Sequence, residues 1–304
     1  MRYLAIGDPL VEFTSRRDEP STFDRRAGGD TLNTAIYLAR LTKAGSVGYL
    51  SRVGNDLHSL WLRETIAAEG VDVSALAVDE NARASLSFIS TDAQGERSFS
   101  YWRDQSPFRT YFDNAAHLAD LEKAPVVIFS AIILAVLKPE GRTHFLKKLA
   151  VLKQQGTQII FDTNYRPVLW ENVETARELI TKAAKLATVL LPSLDDIDAC
   201  FGIHSPARAM QKLITISDVE IVLTTGGGSV FYRSTSSGEV EQYELPEAVA
   251  AVDTTGAGDS FNAAFLAARG EGLDAKTAIL QAAKLAAIVV QHPGAIIPTA
   301  AMPA

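Results

Sequence analysis

Two polar, glycine-rich strings carry most of the chemistry this chain offers. The first is Asp253-Thr-Thr-Gly-Ala-Gly-Asp259-Ser-Phe-Asn262, a polar turn that enters an apolar helix stopping at Gly270. Its two glycines let backbone approach a ligand closely, and the first helical amides have no intrahelical acceptor. They sit at the positive end of the helix dipole, which suits a phosphate. Asp259 then stands beside the anion. A carboxylate there makes sense if it takes the proton from an attacking hydroxyl, as the catalytic-loop aspartate of protein kinases does; otherwise it caps its helix. The second string, Thr224-Thr225-Gly226-Gly227-Gly228-Ser229, follows an apolar strand and can bring amides and hydroxyls to phosphates.

The elements that must hold these strings follow from periodicity. Short β-branched runs at Tyr3–Gly7, Val47–Leu50, Val126–Ser130, Gln158–Asp162, Val189–Pro192 and Glu220–Thr224 read as buried strands. Between them lie helical patterns: from Thr31 on, with Leu32, Ala35, Ile36 and Ala39 on one face, and at Pro139–Gln155, Val173–Ala187 and Ala275–Gln291. Alternation of this kind predicts an α/β fold, a mostly parallel sheet with helices on both faces. Ser85–Thr91 and Arg97–Trp102 break the rhythm. They are strand-like, are joined by a stretch whose Asp92 and Gly95 suit a hairpin turn, and lead directly into no helix. With the segment near Val11–Thr14 they predict a small β element standing off the main sheet, a lid on one domain spanning 1–304, built from about 9–25 and 84–112.

Composition bounds the function classes. Of 304 residues, 29 are Lys or Arg and 36 are Asp or Glu, a net charge of −7 that excludes a polybasic nucleic-acid binder. The longest apolar run, 124–137, falls short of the ~18 residues a membrane span needs. The opening MRYLAIGDPLVEF reaches Asp8 and Glu12 too soon for a signal-peptide apolar region, so a cytoplasmic protein is expected. A lone cysteine, Cys200, rules out an intrachain disulfide and reads as a small buried hydrophobe. The five histidines show no metal-binding spacing. An oxidoreductase using a dinucleotide needs G-x-G-x-x-G after an early strand, and Ile6-Gly-Asp-Pro-Leu-Val has one glycine.

The Asp253–Asp259 string resembles the C-terminal signature of the ribokinase-like, or PfkB, carbohydrate kinases, and Ala27-Gly-Gly-Asp-Thr-Leu-Asn33-Thr resembles their N-terminal one. The resemblance covers essentially the whole chain. It implies a ribokinase-like three-layer α/β/α sandwich with a mostly parallel central sheet and a small β-sheet lid. It also implies an ATP- and Mg²⁺-dependent sugar kinase with Asp259 as base and the amides of Gly256, Ala257, Gly258 and Asp259 as anion hole. Within the family, Phe161-Asp-Thr-Asn-Tyr-Arg166-Pro-Val-Leu-Trp170, Gly95-Glu-Arg-Ser-Phe-Ser-Tyr101-Trp-Arg103 and Gly294-Ala-Ile-Ile-Pro298 are most similar to the kinases of 2-keto-3-deoxygluconate. Those kinases use an arginine from each of the first two motifs, and the lid tyrosine, around the keto acid. That fits the chemistry, since a sugar acid carries a carboxylate that guanidinium groups pair with and neutral sugars lack.

The resemblance thus places Gly28, Gly29, Asn33, Tyr101, Arg103 and Arg166 in a sugar pocket facing Asp259; Asp8, which follows the first strand, serves a sugar hydroxyl or a turn. It places Ser193, Thr225, Gly226, Gly228, Gly256, Gly258 and His292 near ATP. Ser193 and Asp196 stand where the family has an N-x-x-E motif associated with Mg²⁺ and phosphate, making Asp196 a candidate magnesium ligand. Asp253 serves a monovalent cation such as K⁺ or fixes its loop. Ser87 beside Phe88 departs from relatives that often carry an aromatic on the first lid strand. The expected partners are a small sugar acid and ATP, with no nucleic acid or membrane, and a second copy of the chain through the lid. The rival readings are a kinase for 2-keto-3-deoxygalactonate, fructose or ribose, and a non-catalytic sugar sensor on the same fold.

Overall fold

The computed structural model describes the chain apart from residues 17, 18, 20, 92–96, 247, 248 and 304, and only the backbone at 91 and 97–99. The expected hairpin turn at Asp92 and Gly95 lies outside the described residues. In chain order the strands are β1 (Tyr3–Ile6), β2 (Leu10–Ser15), β3 (Phe23–Gly28), β4 (Val47–Val53), β5 (Leu76–Val78), β6 (Ser85–Thr91), β7 (Arg97–Trp102), β8 (Val126–Ser130), β9 (Gln158–Asp162), β10 (Val189–Leu191), β11 (Glu220–Thr224), β12 (Ser229–Arg233) and β13 (Val240–Glu244). The helices are α1 (Asp30–Leu41), α2 (Leu57–Ala68), α3 (Ala131–Val136), α4 (Pro139–Gln154), α5 (Val173–Leu186), α6 (Leu194–Phe201), α7 (Pro206–Ile216), α8 (Ala257–Gly270) and α9 (Ala275–Val289).

Nine strands form the large sheet in the order β13-β12-β11-β10-β9-β8-β1-β4-β5, all pairs parallel except those of β12 with its two neighbours. The parallel strands are apolar at nearly every position because both faces are covered. Successive residues feed opposite layers: Leu4 and Ile6 of β1, Val127 and Phe129 of β8 and Ile159 and Phe161 of β9 join one core with α3 to α7. Tyr3, Ala5, Val126, Ile128 and Ile160 join the other, with α1, α2, α8 and α9. That two-residue alternation makes the three layers. The lone cysteine belongs to the first core, where burial pushes its thiol up to about 11.

Strand β1 pairs with both β4 and β8, so the chain reverses direction across the sheet there, and the crevice at the carboxyl ends of β1 and β8 is where ligands of open α/β sheets bind. Over this edge stands the second sheet, four strands in the order β3-β2-β6-β7. Its second member from the N-terminal segment, β3, is not foreseen: the sequence FDRRAG alternates too weakly in hydropathy to read as a strand, and it runs past residue 25 to Gly28. Register puts Glu12, Arg26, Ser87 and Tyr101 in one row on one face. Phe13, Phe88 and Trp102 fall on the other, with Phe13 stacked on Phe88 at 5.1 Å and Trp102 edge-on to it at 5.0 Å. Residues 107–113, overlapping the end of the second expected lid segment, form a 3₁₀ turn packed on β4 and α4 and add no strand to the small sheet.

Candidate active site

Helix α8 places Asp259. From Asp259 to Ala268 every residue is buried, so this Ala-rich helix runs through the middle of the protein, between α1 and α9, and its N-terminus opens at the sheet's carboxyl edge. Gly256 precedes it with φ 78°, a left-handed conformation, and a Cβ there would lie 2.6 Å from the Ala295 carbonyl oxygen. Only glycine fits. At Gly258, by contrast, nothing lies within 4 Å of where a Cβ would be, so the first helical turn faces open space of the kind an anion can fill.

The Asp259 carboxylate is buried and accepts a hydrogen bond from Asn33 Nδ2 at 2.8 Å. Burial, and then the nearby Asp30 charge, raise its pKa to about 8, against the opposing pull of Asn33 and Arg166. A carboxylate tuned toward neutral pH has the proton affinity a general base needs. Asn33 reaches it because α1 begins right after the Gly28-Gly29 turn, with Gly29 at φ 130°. A Cβ on Gly28 would strike the Glu12 side chain at 2.3 Å, so the turn and the row on the small sheet lie wall to wall.

Three further carboxylates ring this point, and neutral side chains separate most of them. Asn164 Nδ2 donates to Asp30 at 3.0 Å, and its backbone amide donates to Asp162 at 3.1 Å. Asn262, three residues along α8 from Asp259, donates to the other Asp162 oxygen at 3.0 Å. Asp162 is held well above the ordinary carboxylate range by burial first and then by Asp196, Asp259 and Asp30. Asp196 accepts from Thr163 Oγ1 at 3.1 Å and the Tyr165 amide at 3.0 Å, with Arg166 Nη1 at 3.4 Å; burial raises its pKa too. Among the described residues no three acidic, His or Cys side chains converge on a metal position. Mg²⁺ bound chiefly by nucleotide phosphates and its own waters needs only one or two protein carboxylates, and the Asp196 carboxylate fits that demand.

At the far end of the cleft, Asp8 is a hub. Arg103 Nε donates to its carboxylate at 3.0 Å and Arg103 Nη2 forms an ion pair at 2.9 Å, while Ser106 Oγ donates to the other oxygen at 2.6 Å. Asp8 thus holds Arg103 and the turn that follows it, a third role beside hydroxyl acceptor and local turn. Tyr101 is 42% exposed, and its hydroxyl is shifted upward by burial first, with Arg103, Glu12 and Arg166 all within electrostatic range. Glu12 and Arg166 are also within electrostatic range of Asp259, so the two ends share these two charges. Glu12, missed by sequence reasoning, is legible afterwards as a lone charge in the apolar strand LVEFT. Ser87 sits in the same row with a buried Oγ that has no hydrogen-bond partner among the described residues, whereas Phe88 faces away into the aromatic cluster.

The remaining predicted residues do local work. Ser193 caps α6 by accepting from the Asp196 amide, and it bridges to Thr224. Thr225 Oγ1 donates to Ser229 O at 2.7 Å and accepts from Ser229 N, closing a loop whose Gly226 and Gly227 have φ of 75° and 110°. Gly226, Gly227 and Gly228 are exposed, so backbone is what this loop presents to a ligand. Asp253 accepts from the Thr255 amide at 2.9 Å and the Gly294 amide at 2.7 Å, tying the α8 turn to the loop that carries Ala295. His292 bonds Ile288 O and lines a cleft of ≈ 520 Å³ with Arg25, Arg26 and Trp61; none of that cleft's walls comes from the 224–229 loop.

The model of the pfkB family carbohydrate kinases matches residues 4–302. A curated 2-dehydro-3-deoxygluconokinase of Haemophilus influenzae is 36% identical over 89% of this chain and 88% of its own, and that of Escherichia coli K12 is 33% identical over 98% of each. Among solved structures, a PfkB protein from Polaromonas sp. JS666 superposes with a TM-score of 0.84 at 23% identity over 96% of both chains. A fructokinase from Xylella fastidiosa with bound ATP gives 0.79 at 24% identity over 99% and 95%.

Proposed function

We propose, for a chain that belongs to the pfkB family of carbohydrate kinases, that its substrate is 2-keto-3-deoxygluconate. The reaction moves the γ-phosphoryl of ATP to the 6-hydroxyl and yields 2-keto-3-deoxy-6-phosphogluconate and ADP. That the protein is a sugar kinase follows from family and relatives; the choice of sugar is our reading. The observation that carries it is the polarity of the cleft, with a buried base at one end and arginines at the other.

Asp259 takes the hydroxyl proton as the oxygen attacks, and the first-turn amides of α8 receive charge from the transferred phosphoryl group. Asn33 orients the base. Gly258 and the 226–228 loop leave backbone open to the phosphates. Asp196, fixed by Thr163, Tyr165 and Arg166, would help to hold Mg²⁺ brought with the nucleotide, and the ion would supply neutralisation of phosphate charge. Arg166, Arg103 and Tyr101 receive the acid end, which turns the opposite end of a six-carbon acid toward Asp259. The name shared by the two relatives supports the same sugar. Exposed Phe23 and Trp102 on the small sheet's outer face support a second copy of the chain as its cover, which sedimentation tests.

The deciding assay follows ADP release from Mg-ATP with 2-keto-3-deoxygluconate, its galacto epimer, fructose, ribose and no sugar. Turnover with the gluco keto acid far above the others is expected. Preference for a neutral sugar overturns the acid reading and keeps the kinase, and an absence of any sugar-dependent ADP release favours a sensor. Among the described residues no helix is long and apolar enough to cross a membrane.

A further inference from the structure

The acid end has a cation that no motif pointed to. A cavity of ≈ 270 Å³ is lined by Tyr101, Arg103, Asp104 and Arg109 over an apolar floor that includes Val136 and Leu169. Two of its guanidinium groups differ in what they already hold. Arg103 is buried and its charge is met by Asp8. Arg109 is half-buried, and among the described residues no hydrogen bond or ion pair engages its guanidinium. Arg166, the other acid-end candidate, has 54% of its side chain exposed and leans on Tyr165 O and Asp196.

The backbone under Arg109 is fixed. Its amide donates to Ser106 O at 3.1 Å and its carbonyl accepts from the Lys138 amide at 3.0 Å. Ser106 caps this turn and is itself tied to Asp8. The Asp8 hub therefore sets Arg103 and Arg109 on the same cavity, one neutralised by an ion pair and one with no ion pair among the described residues. Two acidic groups are near. Asp104 also lines the cavity but is exposed to screening water, and Glu171, half-exposed and paired with Arg142 at 3.1 Å, feels Arg109 only as the weaker of its two cationic neighbours.

We propose that Arg109 pairs with the carboxylate of the sugar acid and so sets the preference for acids over neutral sugars. This rests on the keto-acid reading above. A charge-assisted bond of this kind is made equally in the ground and transition states, so it belongs to KM.

The test uses Arg109→Met, which keeps the stem, and Arg109→Lys, which keeps the charge. Arg109→Met should raise KM for 2-keto-3-deoxygluconate about tenfold to hundredfold, with kcat within about threefold and KM for ATP unchanged. Arg109→Lys should recover part of the loss, and Asp104→Asn should lower KM slightly. A KM in Arg109→Met within about twofold of wild type, or an equal loss in Arg109→Lys, overturns the assignment of Arg109 alone. Wild-type enzyme that uses only a neutral sugar overturns the acid reading, and this proposal with it. A melting temperature lowered in proportion to the kinetic loss shows a structural role and also overturns it.

Discussion

The two ends of the cleft are built from different materials. At α8 the groups assigned to phosphate in the proposed reading are backbone amides and one buried carboxylate, held by a glycine that no other residue can replace and by Asn33. At the other end, between the small sheet and the loop after β9, the groups assigned to the sugar acid in the proposed reading are long cationic side chains and a tyrosine, two of them exposed. The chemistry needs fixed donors where charge develops and tolerates adaptable ones where a resting charge is held. Substitutions at the first end should therefore act on kcat and at the second on KM, and the contrast is open to attack from both sides.

Asp259→Asn carries the largest effect. Loss of a general base should cut kcat about 10²–10⁴-fold while KM for the sugar stays near wild type. A second readout has a definite sign. The folded pKa near 8 exceeds the carboxyl's ordinary value, so the native state holds the extra proton and stability falls as pH rises between the two. Removing the charge should raise the melting temperature relative to wild type, more at pH 8 than at pH 5. Near-normal turnover, or no pH-dependent gain in melting temperature, removes Asp259 from its assigned place.

The two glycines of the α8 turn separate scaffold from ligand surface. Gly256→Ala puts a Cβ against Ala295 in a left-handed conformation and should cost about 1–3 kcal/mol in stability along with most activity. Gly258→Ala meets nothing within 4 Å. It should fold with an unchanged urea midpoint yet lose turnover, because its methyl group enters the space left for phosphate. Equal stability losses in both variants would contradict this division.

Arg166→Ala tests the other end. KM for the keto acid should rise about tenfold or more, as for a lost charge-assisted bond, whereas kcat should change less. Because Arg166 also pulls the Asp259 pKa down, the low-pH limb of the rate profile should move to higher pH. A collapse in kcat with KM unchanged would reverse the roles of the two ends.

The same contrast decided what could be read from the sequence. Contiguous strings specify backbone sites, so Gly256 to Asp259 and Gly28 to Asn33 were visible and do face each other. The parallel strands were visible because burial on both faces leaves unbroken apolar runs. Side-chain sites assembled across the small sheet were not. Glu12, Ser87 and Tyr101 share a row only through a register that joins strands some 75 residues apart, and Ser106 reaches Asp8 across the cleft. The Asn164 and Asn262 bonds that separate the buried aspartates depend on the ends of β9 and α8 meeting. Strand β3 was missed because half its residues are charged and it borders polar surface.

The smallest expected effect tests whether the phosphoryl end is tuned as well as placed. Asp30 sits at the first position of α1, accepts from Asn164, and is the second cause, after burial, of the raised Asp259 pKa. In Asp30→Asn the carboxamide oxygen can still accept the Asn164 bond, so the packing survives while one negative charge is lost. The Asp259 pKa should then fall, and the rise of kcat/KM for the sugar, centred near pH 8 in wild type, should shift to lower pH. At pH 6 the variant should be faster than wild type by less than about tenfold, with the two converging above pH 9, where either enzyme holds an ionised base. Profiles that coincide across the range would mean that burial alone sets the base, and that Asp30 serves only to hold α1 against β9.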